Sequence, residues 1–239
     1  MIKGIIFTEG NNAISPPDQG RAFAGIADGQ NILQNAFSEL FQQGIPNLKA
    51  VFIFDMRGGW RNTLYDFARA IATSQEISIS MLIDYADIPG KNSLTKKVSL
   101  GQTLGEKDGL PAIPGEFSQY FDQIFFMVPK MEAWILSQPE VIEQCFGHLL
   151  PSNKLQKFKA KKLAALSITA SSIISPDAVL NQLLQYFEKP DRQGKPRTLK
   201  YEKGGKVRLA YQMLTKLDLI SLMAEFEDVN RLVEKLKSL

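Results

Sequence analysis

The chain has 239 residues, 44% of them hydrophobic and 22% charged, with a formal charge of +3. That composition supports a packed core and excludes a disordered chain, and the length fits one large α/β domain or such a domain with a helical appendage. One cysteine (Cys145) and one histidine (His148) exclude an internal disulfide and a zinc centre built on Cys and His, so the chemistry expected here uses carboxylates, lysines or backbone groups.

Residues 2–7 form a short apolar run ending in Thr8-Glu9-Gly10, the pattern of a buried strand feeding a loop. Lys3 and Glu9 interrupt it too early for a signal peptide. A polar loop over 11–28 leads to a helix over 31–41, with Ile32, Leu33, Phe37, Leu40 and Phe41 at helical intervals. Residues 50–54 predict a second strand, ending at Asp55. Arg57-Gly58-Gly59 reads as a turn, and Asn62 as the cap of a helix running to about Thr73. A third strand over 77–83 ends at Asp84, and residues 90–119 read as a long connection rich in Gly, Pro and Lys. The fourth strand, 124–128, passes through Pro129 into a helix with Met131, Trp134, Ile135 and Leu136 facing inward. Beyond about residue 140 the strand signal ends, and 179–187, 207–217 and 220–236 read as helical.

Alternating strands and helices with near-continuous apolar strands predict a mostly parallel sheet flanked by helices. The expected division is an α/β domain over 1–145 and a helical, basic C-terminal lobe over 146–239. The most apolar later stretch, 163–175, is shorter than the roughly 20 residues of a membrane helix. With one cysteine and no export signal, the expected location is the cytoplasm, away from membranes.

In parallel sheets function collects at the carboxyl ends of the strands. Here those ends carry Glu9, Asp55, Asp84 with Asp87 and, one step into the next helix, Glu132. Carboxylates without His or Cys suit Mg2+ or Mn2+, which prefer oxygen ligands. The charge is also divided. Residues 144–208 hold thirteen basic and four acidic side chains, a net +9 that leaves −6 for the rest. A basic lobe beside an acidic strand edge suits a bound polyanion. Lys154, Lys157 and Lys161 lie on a lysine-rich helix, and Lys195, Arg197, Lys200 and Lys203 in a basic loop; both stretches are candidate phosphate contacts. Arg57 and Arg61 flank a helix N-terminus and are candidates too. Cys145 and His148 read as a small core residue and an ordinary half-buried histidine.

Three short boxes carry a resemblance. Phe7-Thr8-Glu9-Gly10 resembles the Glu-Gly opening of Toprim domains, found in topoisomerases, primases and OLD-type nucleases. Asp84-Tyr85-Ala86-Asp87-Ile88-Pro89 resembles the Asp-Tyr-Tyr-Gly-Leu-Pro box of a bacterial Toprim-like family of unknown function. Pro129-Lys130-Met131-Glu132-Ala133 resembles its His-Glu-Phe-Glu-Ala box, and Leu199-Lys200-Tyr201-Glu202-Lys203 stands where the family has a Tyr-x-Lys element. Members are often encoded beside AAA-type ATPases and are implicated in defence. The resemblance implies a Toprim-like fold, with Glu9 as general base or metal ligand and Asp84, Asp87 and Glu132 as further ligands. It also departs in places: Pro129 and Lys130 replace the His and first Glu of the third box. Asp87 replaces a Gly and creates an Asp-x-x-Asp pair where Toprim domains proper have Asp-x-Asp. Lys130 reads either as a catalytic cation on a transferring phosphoryl group or as a structural partner of the local acids.

The leading expectation is a Mg2+- or Mn2+-dependent nuclease, with DNA ahead of RNA as substrate and an AAA- or OLD-like ATPase and further copies of the chain as partners. The other reading is a non-catalytic binding or assembly subunit with a degenerate metal site. A nucleotide-binding regulator is disfavoured, since no Walker or Gly-x-Gly-x-x-Gly loop is present.

Overall fold

A computed structural model of the chain describes residues 2–9, 32–74, 77–113, 115–166, 169–191, 193–201 and 205–238. The predicted loop over 11–28 lies outside them, as does Lys203. Four strands, β1 (Gly4–Thr8), β2 (Phe52–Met56), β3 (Ser78–Asp84) and β4 (Ile124–Met127), form an all-parallel sheet in the order β2-β1-β3-β4. The α/β sheet expected from the sequence is present. Gly4 is the one residue type that β1 tolerates at its start, because a Cβ there would stand 2.5 Å from the Ser78 carbonyl oxygen.

Alternate strand residues feed two cores. Ile6, Phe54, Leu82 and Phe125 face one side, where they meet α1 (Ile32–Gln42), whose Phe37 and Phe41 rings pack on Phe54 with centroids 5.6 and 5.3 Å away. Phe7, Met81, Ile83 and Phe126 face the other side, against α3 (Trp60–Thr73) and α4 (Ser93–Gly105). A short helix, α2 (Leu48–Val51), leads into β2. The connection from β1 to β2 thus uses one face and the later crossovers use the other. The chain reverses direction across the sheet between β1 and β3, the kind of switch point where open α/β sheets bind ligands.

The rest of the chain covers the α1 side. Helix α5 (Met131–Ser137) follows β4 and buries Trp134 completely; α6 (Glu140–Phe146), α7 (Leu155–Leu166) and α8 (Pro176–Leu184) follow it. Then come α9 (Lys206–Leu214), α10 (Leu219–Glu225) and α11 (Glu227–Lys237). Leu180, Leu209, Leu222 and Leu232 join Ile6 and Phe37 in one continuous apolar cluster. Helix α11 runs against β4, where Asp228 accepts the backbone N–H of Phe126 (2.9 Å) and Lys235 pairs with Asp122 (2.9 Å).

Three local expectations change. Helix α3 begins at Trp60, with Gly59 as its extended N-cap, so Asn62 sits inside the first turn. The 90–119 connection contains α4, opened by a capping box in which Asn92 and Thr95 satisfy each other's backbone N–H groups. The basic loop near 190 is a hairpin of two three-residue strands, β5 (Glu188–Pro190) and β6 (Pro196–Thr198). Asp191 closes it by accepting from the N–H groups of Gln193 and Lys195 and from Arg197. Among the described residues no helix is long and apolar enough to cross a membrane.

Candidate metal centre

The carboxyl ends of the two central strands lie side by side, and each delivers an acid to the switch point. Glu9 follows β1 and its backbone N–H is held by the Leu82 carbonyl of β3 (3.2 Å). Asp84 ends β3, and its backbone N–H donates to the Glu9 carboxylate (3.2 Å). Past the strand, Tyr85 and Ala86 stay paired to the Met127 and Pro129 carbonyls (3.0 and 2.8 Å), which carries Asp87 toward the chain leaving β4. One oxygen each from Glu9, Asp84 and Asp87 then lies within 4.8 Å of the other two.

The loop behind Asp87 is fixed by a lysine. Lys96 of α4 is only 5% exposed; its ammonium donates to the Ile88 carbonyl and rests 4.2 Å from the centre of the Tyr85 ring. Gly90, with φ near +130, lets the loop pass directly against the α4 backbone, where a Cβ would stand 2.8 Å from the Lys96 nitrogen.

Glu9 and Asp84 sit in an environment that resists their charge. Burial pushes the Glu9 carboxyl up to about 7, with the Asp87 charge adding to it, against the opposing N–H groups of Asp84 and Trp60 and the Lys130 ammonium. Asp84 is raised well above the ordinary carboxylate range, first by burial and then by the charges of Glu9 and Glu132, although its carboxylate accepts the Met131 N–H (3.0 Å). Lys130 forms an ion pair with Asp87 (2.7 Å). Burial pulls the Lys130 ammonium down, but the bond to Asp87 and the charges of Asp87, Asp84 and Glu132 outweigh it and leave the lysine raised.

The other predicted acids are placed differently. Glu132 is 1% exposed and stands outside the group of three: its carboxylate accepts the Tyr201 hydroxyl (3.1 Å) and pairs with Lys206 (2.7 Å). It acts on the site through its charge on Asp84. Asp55 reaches the same sheet edge but pairs with Arg57 (2.6 Å), two residues on. Sequence reasoning passed over Lys206 and Lys96, since nothing local distinguishes either from a solvated lysine; Tyr201 was visible only through the Tyr-x-Lys resemblance.

The candidate phosphate contacts divide. Arg61 lies over the Trp60 ring, 4.4 Å from its centre, and Arg57 joins Asp55 and Asp66. Lys154 pairs with Glu188 (2.6 Å) and Arg197 with Asp191 (3.1 Å). Lys157, Lys161, Lys195 and Lys200 are exposed. The segment leaving the hairpin is tied to the acidic site: the Tyr201 backbone N–H donates to Asn181 (2.8 Å) while its hydroxyl meets Glu132. His148, expected to be half-buried, is exposed on the turn Gly147–Leu149. Cys145 is half-buried, donates to the Gln212 carbonyl (3.1 Å), and has its thiol pKa pushed up by burial.

No family model, curated protein or solved structure matches this chain. The acid group can hold a metal ion on its own geometry. Its donors are all carboxylate oxygens, which fit a hard divalent cation, and such a cation would offset the burial and neighbouring charge that disfavour ionised Glu9 and Asp84.

Proposed function

We propose that the protein is a Toprim-like, divalent-metal-dependent phosphodiesterase that acts on nucleic acid. The observation that carries this reading is the convergence of Glu9, Asp84 and Asp87 within 4.8 Å at the switch point of the sheet. Mg2+ or Mn2+ would be held by these three residues and would supply Lewis-acid polarisation of a phosphoryl oxygen and a more acidic water. Support comes also from the first two sequence boxes, whose acids Glu9 and Asp84 meet in the fold together with Asp87, while Glu132 of the third box stands outside the group.

The chain's own groups have distinct tasks in this scheme. Glu9, whose carboxyl burial raises to about 7 in the metal-free site, would give up that proton when the cation binds and then serve as a ligand to it or as the general base toward the attacking water. Lys130 stands beside Asp87 with its ammonium retained, where it can meet negative charge developing on a phosphoryl oxygen. Glu132, locked between Tyr201 and Lys206, keeps a fixed negative charge behind Asp84. The basic hairpin, anchored through Tyr201, offers Lys195, Arg197 and Lys200 to a phosphate backbone.

One observation favours the second reading, a non-catalytic binding subunit. The Lys130 ammonium already neutralises Asp87, as a structural cation would. Incubating the purified protein with single- and double-stranded DNA and RNA in Mg2+ or Mn2+ separates the two. Cleavage that disappears in Glu9→Ala, with folding retained, supports the phosphodiesterase. Salt-sensitive binding without cleavage in any metal supports the subunit. Undiminished cleavage by Glu9→Ala would overturn the site.

A further inference from the structure

A cleft of about 550 Å3 opens where β2 ends, between the turn at Arg57-Gly58 and the outer face of α3. Its walls include Arg57, Asn62, Tyr65, Asp66, Arg69 and Lys107. From this cleft we infer that the protein holds a single nucleic-acid strand along the sheet edge, with Arg57, Arg69 and Lys107 gripping the phosphates next to the one placed at Glu9. The inference rests on the phosphodiesterase reading and deepens it.

Position is the first argument. The Arg57 backbone N–H donates to the carbonyl of Thr8 (3.1 Å), the residue before Glu9, and its guanidinium lies 5.8 Å from the centre of the Phe7 ring. The cleft therefore begins about one strand spacing, roughly 5 Å, from the strand end that carries Glu9. A strand with one phosphodiester at Glu9 would carry its neighbouring phosphate over Arg57.

Charge and preorganisation are the second. Arg57 contacts Asp55 (2.6 Å) and Asp66 (3.4 Å), and Arg69 contacts the other oxygen of Asp66 (2.7 Å). These carboxylates engage only part of the five N–H donors on each guanidinium and hold both forks in place. Lys107 sits 5.8 Å from the centre of the Tyr65 ring, which limits where its ammonium can move. Counting Asp55 with the lining groups, three cations face two anions, so the cleft keeps a positive surplus beside an acidic site. Without that surplus the acids would repel a polyanion.

The test measures anisotropy of a labelled short oligodeoxynucleotide, and of its ribonucleotide counterpart, in Ca2+ across a salt series. Arg69 is 54% exposed and Lys107 is exposed as well, so the double variant Arg69→Gln/Lys107→Gln keeps the core intact. Its affinity should fall about tenfold and its salt slope by roughly one to two, as expected for two lost phosphate contacts. Mn2+ binding, titrated separately, should stay unchanged. An unchanged affinity and slope would overturn the inference, as would equal competition by inorganic phosphate, which would mark a free-phosphate site. If the wild-type protein binds neither oligonucleotide, the phosphodiesterase reading falls together with this inference. If Glu9→Gln abolishes cleavage while the double variant binds normally, only the inference falls.

Discussion

The Glu9 carboxylate accepts the backbone N–H of Asp84 across 3.2 Å, so the ends of the two central strands are joined by one of the proposed ligands itself. Glu9→Gln keeps the acceptor oxygen for that N–H but removes the charge. Because the wild-type charge is opposed by burial, the variant should melt no lower than wild type. Its Mn2+ affinity should fall at least tenfold, as calorimetry would show. A variant that binds Mn2+ as tightly as wild type would remove Glu9 from the metal centre.

The same burial sets a pH dependence. With the Glu9 pKa raised to about 7, the folded protein holds a proton that the unfolded chain releases above about 4.5. Its contribution to stability is therefore present at low pH and shrinks as pH rises from the unfolded value through about 7. Asp84 shifts in the same direction. A divalent cation must displace these protons, so thermal stabilisation by Mn2+ should be small at pH 5 and large at pH 8. Melting curves with and without Mn2+ would check this; stabilisation independent of pH would contradict it.

Lys130 and a metal ion compete for Asp87. The pair is partly exposed, so releasing it costs little stability, within about 1 kcal/mol. Lys130→Gln should therefore bind Mn2+ several-fold more tightly while melting close to wild type. If Lys130 also meets charge on the transferring phosphoryl group, cleavage by the variant should drop despite the tighter metal. Tighter metal with faster cleavage would leave Lys130 as a competitor only.

Glu132 is buried against Lys206, which reaches it from the far end of the chain. Lys206→Met leaves the buried Glu132 carboxylate with the Tyr201 hydroxyl alone and should cost about 1–3 kcal/mol in urea unfolding. Adding Glu132→Gln to it should return much of that loss, because the double variant removes both charges. Losses that simply add would show that the two groups do not interact.

The parallel sheet and its strand-end acids were legible because their signals are local. β1, β2, β3 and β4 are apolar runs, and α1 and α3 repeat at helical intervals, so their order could be read residue by residue. Helix α4 was not, because two of its buried positions are Lys96 and Lys97, which bury their stems and spend their ammonium groups on the carbonyls of Ile88 and Phe121. Hydropathy counts such residues as solvated. The β5–β6 hairpin escaped because its strands are three residues long and carry Pro190 and Pro196. Glu9, Asp84 and Asp87 meet because adjacent strands end together, which strand order implies. Whether Glu132 joins them depends on Tyr201 and Lys206, about seventy residues away in sequence, a distance over which no periodicity speaks.

Asp228 carries a consequence for the boundary of the molecule. It occupies the Phe126 N–H on β4, a hydrogen bond that a neighbouring strand would otherwise make. An open edge of this kind is a template for any extended chain, including a second molecule of the same protein. A side chain from α11 takes that hydrogen bond, so the β4 edge is closed to such pairing at Phe126.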